Sequence, residues 1–192
     1  MTGIIILAAG SSSRMGKAKQ NLLFRGQTLL QNAINTAFGS HSDIIAVVLG
    51  ANALNISSTI GTSNIQVFVN EDWALGMGTS ISYGLKELLK IQPEISSVLF
   101  MLTDQPLVDQ NFINQLIEKA TPGKIVASAY NNTLGPPVLF DNSFFDDLLK
   151  MRGNEGAKKI LQKYSNAVVE LPFPEGAFDV DTPDDYDRLV NS

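Results

Sequence analysis

The sequence predicts an α/β fold built on a mixed, mainly parallel sheet with helices on both faces, and two observations carry this. Short apolar runs rich in β-branched residues recur along the chain with little internal alternation, which suits strands covered on both sides. Between them lie segments whose apolar residues repeat at helical spacing, so successive strands are joined by crossovers.

The strand runs are 3–8, 44–49, 65–69, 98–102, 125–129, 137–140 and 168–171. Helical spacing is clearest in Leu29, Leu30, Ala33, Ile34 and Ala37, in Ile81, Leu85, Leu88 and Leu89, and in Phe112, Leu116 and Ile117. Only the turn-rich stretch 130–135 separates two late runs, too short for a helical crossover, so an antiparallel pair is expected there. No internal repeat or linker interrupts the pattern, and residues 1–192 read as one domain.

Composition narrows the function. Hydrophobic residues make up 44% and charged residues 17%, so an ordered fold is expected throughout. A net charge of −5 argues against nucleic acid as a partner. With no cysteine and His41 as the single histidine, any metal must be held by oxygen ligands. The stretch 4–9 is apolar but lacks a basic leader, and no run is long enough to span a bilayer, so no membrane contact and a cytoplasmic location are expected.

Candidate chemistry begins directly after the first strand, in LAAGSSSRMGKAK from Leu7 to Lys19. A glycine-rich turn after a parallel strand can aim bare N–H groups at a phosphate. Gly10 permits close approach, Ser11, Ser12 and Ser13 offer hydroxyls, and Arg14 and Lys19 offer charge. The alternative is a serine loop with surface charges. Neither the P-loop nor the dinucleotide fingerprint is present.

Asp104 in FMLTDQPLV ends an apolar run, where a carboxylate can reach a bound metal–phosphate group. The bland reading is a turn or cap aspartate, although Asp109 is better placed as the cap. In DVDTPDDYDRL, Asp179 and Asp181 are one residue apart and can project to one side of an extended segment. Thr182, Pro183 and Asp185 read as a helix start with a capping box. In LGMGTSISYGL, Thr79 or Ser80 reads as an N-cap behind the turn glycines Gly76 and Gly78. Met15 reads as packing, Lys17 as a solvated charge, and Trp73 as packing or a binding reporter.

The spacing L-A-A-G-x-S-x-R-M-G-x-x-K resembles the signature of nucleotidyltransferases related to the molybdenum cofactor enzymes, most closely the cytidylyltransferase branch. The D-Q-P at Asp104 and the G-M-x-x-S-[LI]-x-x-G pattern from Gly76 extend the resemblance, and its motifs run in order from Ile4 to Leu189. LGPPVLF and GNEGAKKIL resemble further motifs, with Pro136 and Asn154 in place of a polar and an acidic residue.

The resemblance implies a three-layer, Rossmann-like fold of nucleotide-diphospho-sugar transferase type. It further implies that Leu7, Ala8, Ala9, Gly10, Ser11 and Ser12 wrap a nucleoside triphosphate, with Arg14 and Lys19 at its phosphates and Gly76, Gly78, Thr79 and Ser80 near base and ribose. Mg²⁺ is implied on Asp104 together with Asp181 or Asp179. The implied reaction transfers CMP from CTP, favoured over GTP by the Ala8-Ala9-Gly10 form of the loop, to a molybdopterin-type acceptor, with a molybdenum hydroxylase as a further partner. A sugar or alditol phosphate acceptor, or a non-catalytic accessory role, are the alternatives.

Overall fold

The computed structural model describes residues 1–16, 18–61 and 64–191; Lys17 therefore lies outside the described residues. In chain order the elements are β1 (Thr2–Ala8), β2 (Leu23–Phe24), β3 (Gln27–Thr28), α1 (Leu29–Phe38), β4 (Ile44–Leu49), α2 (Ala53–Ser57), β5 (Gln66–Val69) and α3 (Met77–Ile91). Then follow β6 (Ser97–Leu102), α4 (Gln110–Glu118), β7 (Ile125–Tyr130), β8 (Thr133–Asp141), α5 (Phe145–Leu149), α6 (Ala157–Lys163), β9 (Val168–Pro172) and α7 (Pro183–Val190). Among the described residues no helix is long and apolar enough to cross a membrane.

Seven strands form one sheet in the order β5-β4-β1-β6-β8-β7-β9. β1 is parallel to β4 and β6, β4 to β5, and β7 to β9, while β8 runs antiparallel to both of its neighbours. The fold is therefore a mixed, mostly parallel, Rossmann-like α/β sheet. β7 and β8 are the expected antiparallel pair, joined by a tight turn in which Asn131 and Asn132 take the left-handed conformation that asparagine tolerates.

Each strand divides its side chains between two cores, which explains the near-continuous apolar runs. On one face Ile5, Val48, Phe100 and Phe140 pack with Ile81, Leu85 and Leu88 of α3 and with Leu148 and Ile160 beyond it. On the other Ile4, Ile6, Val47, Leu99 and Leu139 pack with Leu30 and Ile34 of α1 and Ile113 and Leu116 of α4. All the central strand residues named are essentially inaccessible, and each large aliphatic contributes about 1.5–3 kcal/mol by burial. A Cβ on Gly84 would stand 2.6 Å from Val48 Cγ2, so this glycine sets how closely α3 lies on the sheet.

β2, β3, α2 and α5 were not evident from periodicity; at two to five residues they are too short to show one. The reading of Thr79 or Ser80 as an N-cap is corrected: α3 begins at Met77 with Gly76 as its N-cap, and neither hydroxyl caps it. Both face Asn70 instead, as described below.

α7 begins as expected. Thr182 is its N-cap, accepting from Asp185 N–H, and the Asp185 carboxylate returns a bond to Thr182 N–H at 2.8 Å. The Thr182 hydroxyl is the largest influence holding the Asp185 carboxyl down at about 2; backbone N–H groups and Arg188 add to it against the push of burial. Because the folded value lies below the ordinary one, this stabilisation is complete above about pH 4 and is lost as pH falls through about 2. Thr182→Ala is expected to cost about 1 kcal/mol at neutral pH, with the difference from the parent shrinking in urea melts at acid pH.

Candidate active site

The sheet reverses its direction of growth at β1, which leads to β4 on one side and has β6 on the other. A crevice opens at the carboxyl ends of strands at such a point, and ligands collect there. The chain after Ala8 and the chain after Leu102 meet in this crevice, bringing the glycine-serine loop to Asp104.

A cavity of about 370 Å³ occupies the position, within the usual size of small-molecule sites. Leu7, Ala8, Ala9, Gly10, Ser11 and Lys19 line it from the end of β1 and the first loop; Thr103 and Asp104 from the turn after β6; Trp73, Ala74, Gly76, Met77 and Ser80 from the segment opening α3; and Asn154 from before α6. Six of the eight positions expected from Leu7 to Lys19 thus face one space. Ser12 and Arg14 lie outside the lining.

Ser12 shapes the loop from behind. It adopts the left-handed conformation, its Oγ accepts from Lys19 N–H at 3.1 Å, and it donates to Gln20 Oε1 at 3.3 Å. The Gln20 amide donates to the carbonyls of Ala8, at 2.9 Å, and Gly10, at 3.0 Å. Gln20 is buried and fastens the loop to the end of β1. It went unrecognised in the sequence because a lone glutamine beside a basic signature carries no periodic or motif signal. Met15 packs as expected, with Leu22, Phe24, Val180 and Leu189 beneath the loop.

Four charges meet at the cavity's edge. Lys19 Nζ lies 2.6 Å from Asp104 Oδ2 and 3.0 Å from Asp181 Oδ1, and Arg14 Nη2 lies 2.8 Å from Asp181 Oδ2. The Asp104–Lys19 pair is largely sheltered, with side chains 17% and 14% exposed, while Arg14 is 69% exposed and its pair is correspondingly weak. Burial works against the Lys19 ammonium, but Asp104 and then Asp181 outweigh it, and the pKa stands above the ordinary lysine value.

Asp104 is no helix cap; Asp109 takes that role, accepting from Phe112 N–H at 2.8 Å. One oxygen of Asp104, Oδ1, is buried and has no hydrogen-bond partner among the described residues. Val180 N–H donates to the Asp104 carbonyl at 2.9 Å, which draws the 179–181 segment to the end of β6. Asp181 then joins Lys19, whereas Asp179 stays outside the ion-pair chain. Desolvation, followed by repulsion from Asp104 and Asp181, pushes its carboxyl up to about 6, opposed by Gln105 and Lys19.

The segment before α3 is held by Asn70, a buried residue also missed in the sequence. Its amide donates to Thr79 Oγ1 at 3.1 Å and Ser80 Oγ at 3.0 Å, and its carbonyl accepts from Asp72 N–H. Thr79 is consumed by this knot and Gly78 packs on the Arg152 backbone, so neither reaches the cavity; Gly76 and Ser80 do. Gly76 has φ 117°, and a Cβ there would stand 2.4 Å from the Gly153 carbonyl, a double requirement for glycine. Trp73 lines the cavity rather than only packing.

A family model described as the MobA-like NTP transferase domain matches residues 4–168. The chain belongs to this family. Three curated relatives of this MobA-like NTP transferase stand out. "Purine catabolism protein PucB" of Bacillus subtilis (strain 168) is 28% identical over 96% of this chain and 94% of its own. "Nicotine blue oxidoreductase" of Paenarthrobacter nicotinovorans is 32% identical over 72% and 66%. "Molybdenum cofactor cytidylyltransferase" of Escherichia coli (strain K12) is 28% identical over 95% and 92%.

Among solved structures, Rv0371c of Mycobacterium tuberculosis H37Rv in complex with manganese is 28% identical, with a TM-score of 0.82, covering 100% of this chain and 98% of that one. As a MobA-like NTP transferase the protein is of nucleotidyltransferase type, and the crevice just described is where its fold gathers a glycine loop, a lysine and two carboxylates.

Proposed function

We propose that the protein transfers CMP from CTP to a phosphate acceptor, a molybdopterin carrying molybdenum, with release of pyrophosphate and with Mg²⁺ as cofactor. The observation that carries this is the Asp104–Lys19–Asp181 cluster, in which Asp104 and Lys19 line the cavity beside the glycine-serine loop and Asp181 joins them from its edge. The family and the cytidylyltransferase relative support the reaction type. The Ala8-Ala9-Gly10 form of the loop supports CTP over GTP.

The residues fit a hard divalent ion. Among the described residues Asp104 Oδ1 is buried without a partner, and Asp181 presents a second carboxylate to the Lys19 ammonium that Asp104 also meets. Among the described residues no cluster of three or more His, Cys, Asp or Glu gathers for a metal. Mg²⁺ suits such a pair because it keeps water and phosphate oxygens for its remaining positions. Asp104 and Asp181 would hold it; Asp179, outside the ion-pair chain, would not. Bound there, it would withdraw charge from the phosphate oxygens.

The protein's own part is positioning and charge. Backbone N–H groups of the loop, with Lys19, hold the triphosphate and stabilise the charge that collects on departing pyrophosphate. Arg14 adds to this from the rim. The acceptor phosphate is already ionised at neutral pH, and its oxygen attacks the α-phosphorus without a protein nucleophile. A molybdenum hydroxylase would receive the product.

The test is pyrophosphate release from CTP and from GTP, with Mg²⁺ and molybdenum-loaded molybdopterin. CTP-dependent release is expected. Equal or faster release with GTP overturns the nucleotide assignment, and release only with a sugar or alditol phosphate overturns the acceptor.

A further inference from the structure

Lys19 stands where the two carboxylates converge. Its Nζ is within hydrogen-bond distance of both Asp104 Oδ2 and Asp181 Oδ1, in a setting that is mostly sheltered from solvent. A divalent ion that ligates both side chains needs oxygens at about 2.0–2.1 Å. An ammonium on the same oxygens fills part of that space and repels the ion across a gap that water screens poorly. The lysine and the ion therefore compete for one carboxylate pair.

The surroundings give the lysine somewhere else to go. Its backbone N–H is fixed by Ser12 Oγ at 3.1 Å, so the side chain has a rigid root, and Lys19 itself lines the cavity assigned to the triphosphate. When the ammonium leaves, among the described residues Asp104 has a buried Oδ1 with no partner and an Oδ2 that has lost its lysine, and Asp181 keeps Arg14 at the exposed rim. Asp179 adds its repulsion to both. That arrangement is strongly unfavourable without a cation.

We infer that Lys19 is an internal counter-ion that keeps a divalent ion off the Asp104–Asp181 pair until the phosphates of a nucleotide draw its ammonium away. The inference rests on the nucleotidyltransferase reading above and adds an order to it: nucleotide and ion enter together, and free metal binds poorly. Lys19 is then a positioning residue for the carboxylates before it is a phosphate contact.

The experiment is calorimetric titration of the full chain with Mn²⁺, without nucleotide, alongside thermal melts. Lys19→Met is expected to bind Mn²⁺ at least about tenfold more tightly than the parent, since one opposing charge in direct contact with the pair is gone. Mn²⁺ should also raise the Tm of the variant and leave the parent nearly unchanged. Lys19→Gln, which keeps a hydrogen-bond donor but no charge, should move the same way and serves where the methionine variant folds poorly. Lys19→Arg keeps the charge and should stay near the parent. Asp104→Asn added to Lys19→Met should abolish the gain, placing the ion on this pair.

Unchanged or weaker Mn²⁺ binding in both neutral variants overturns the inference, as does tight binding by the parent. No nucleotide is present, so the result stands apart from the reaction. Failure of the nucleotidyltransferase reading would appear as absent pyrophosphate release with this titration unaltered.

Discussion

Asp104→Asn is expected to lower pyrophosphate release about 10²- to 10³-fold, the loss typical when a group that stabilises transition-state charge is removed. The substitution keeps the shape of the side chain and deletes its charge. Lys19 is not orphaned, because Asp181 remains 3.0 Å away, so the loop should keep its place. The buried oxygen that lacks a partner, Oδ1, costs the parent free energy that an uncharged amide reduces. Folding stability should therefore change far less than turnover.

Two measurements separate these effects. Trp73 is the single tryptophan and lines the cavity, so its fluorescence should report a nucleotide that binds there. The expected result is near-parental quenching by CTP in the absence of metal, a near-parental Tm, and the loss concentrated in kcat. Parental turnover would remove Asp104 from the reaction.

The fold was legible because the strong signals are long. Continuous apolar runs exposed the strands of a doubly covered sheet, and i, i+3, i+4 spacing exposed α1, α3 and α4. The hairpin of β7 and β8 followed from a connection too short for a helix. The candidate site was legible in part, because glycine-rich turns after a strand and strand-end carboxylates leave compositional marks. Lys19 and Asp104 are 85 residues apart in sequence and in contact in the fold.

What could not be read were residues whose role depends on a partner chosen by tertiary structure. Thr79 looked like a cap because hydroxyls near glycines usually are caps; Asn70, nine residues earlier, claims it instead. Val180 gives no hint that its N–H will bind the Asp104 carbonyl and bring Asp181 within reach of Lys19. The separation of Asp179 from Asp181 depends on that same bond. Tertiary pairings of this kind have no sequence period.

Gln20→Ala is expected to destabilise the protein by about 3 kcal/mol, from the roughly 1–3 kcal/mol attached to each polar group left buried and unpaired. The amide serves the Ala8 carbonyl in a buried setting and the Gly10 carbonyl in a partly buried one, and also receives the Ser12 hydroxyl. Alanine replaces none of these bonds and leaves a void where the side chain was essentially inaccessible. Because both carbonyls belong to the turn that wraps the cavity, the KM for nucleotide should rise together with the loss of stability.

Gln20→Glu tests the cause. The shape is preserved, but an ionised carboxylate cannot donate to two carbonyls and confronts them with like partial charge, so at neutral pH this variant should be no more stable than the alanine one. Those surroundings favour the protonated acid, raising the folded pKa of the introduced group above its ordinary value of about 4.3. Relative stability is then recovered as pH falls through the raised folded value toward the ordinary one, because the folded state takes up the proton first. Urea melts of parent and Gln20→Glu at pH 7 and pH 4.5 should show the gap narrowing on acidification. A Gln20→Glu variant as stable as the parent at both pH values would mean that volume, rather than donation to Ala8 and Gly10, is what Gln20 contributes to the loop.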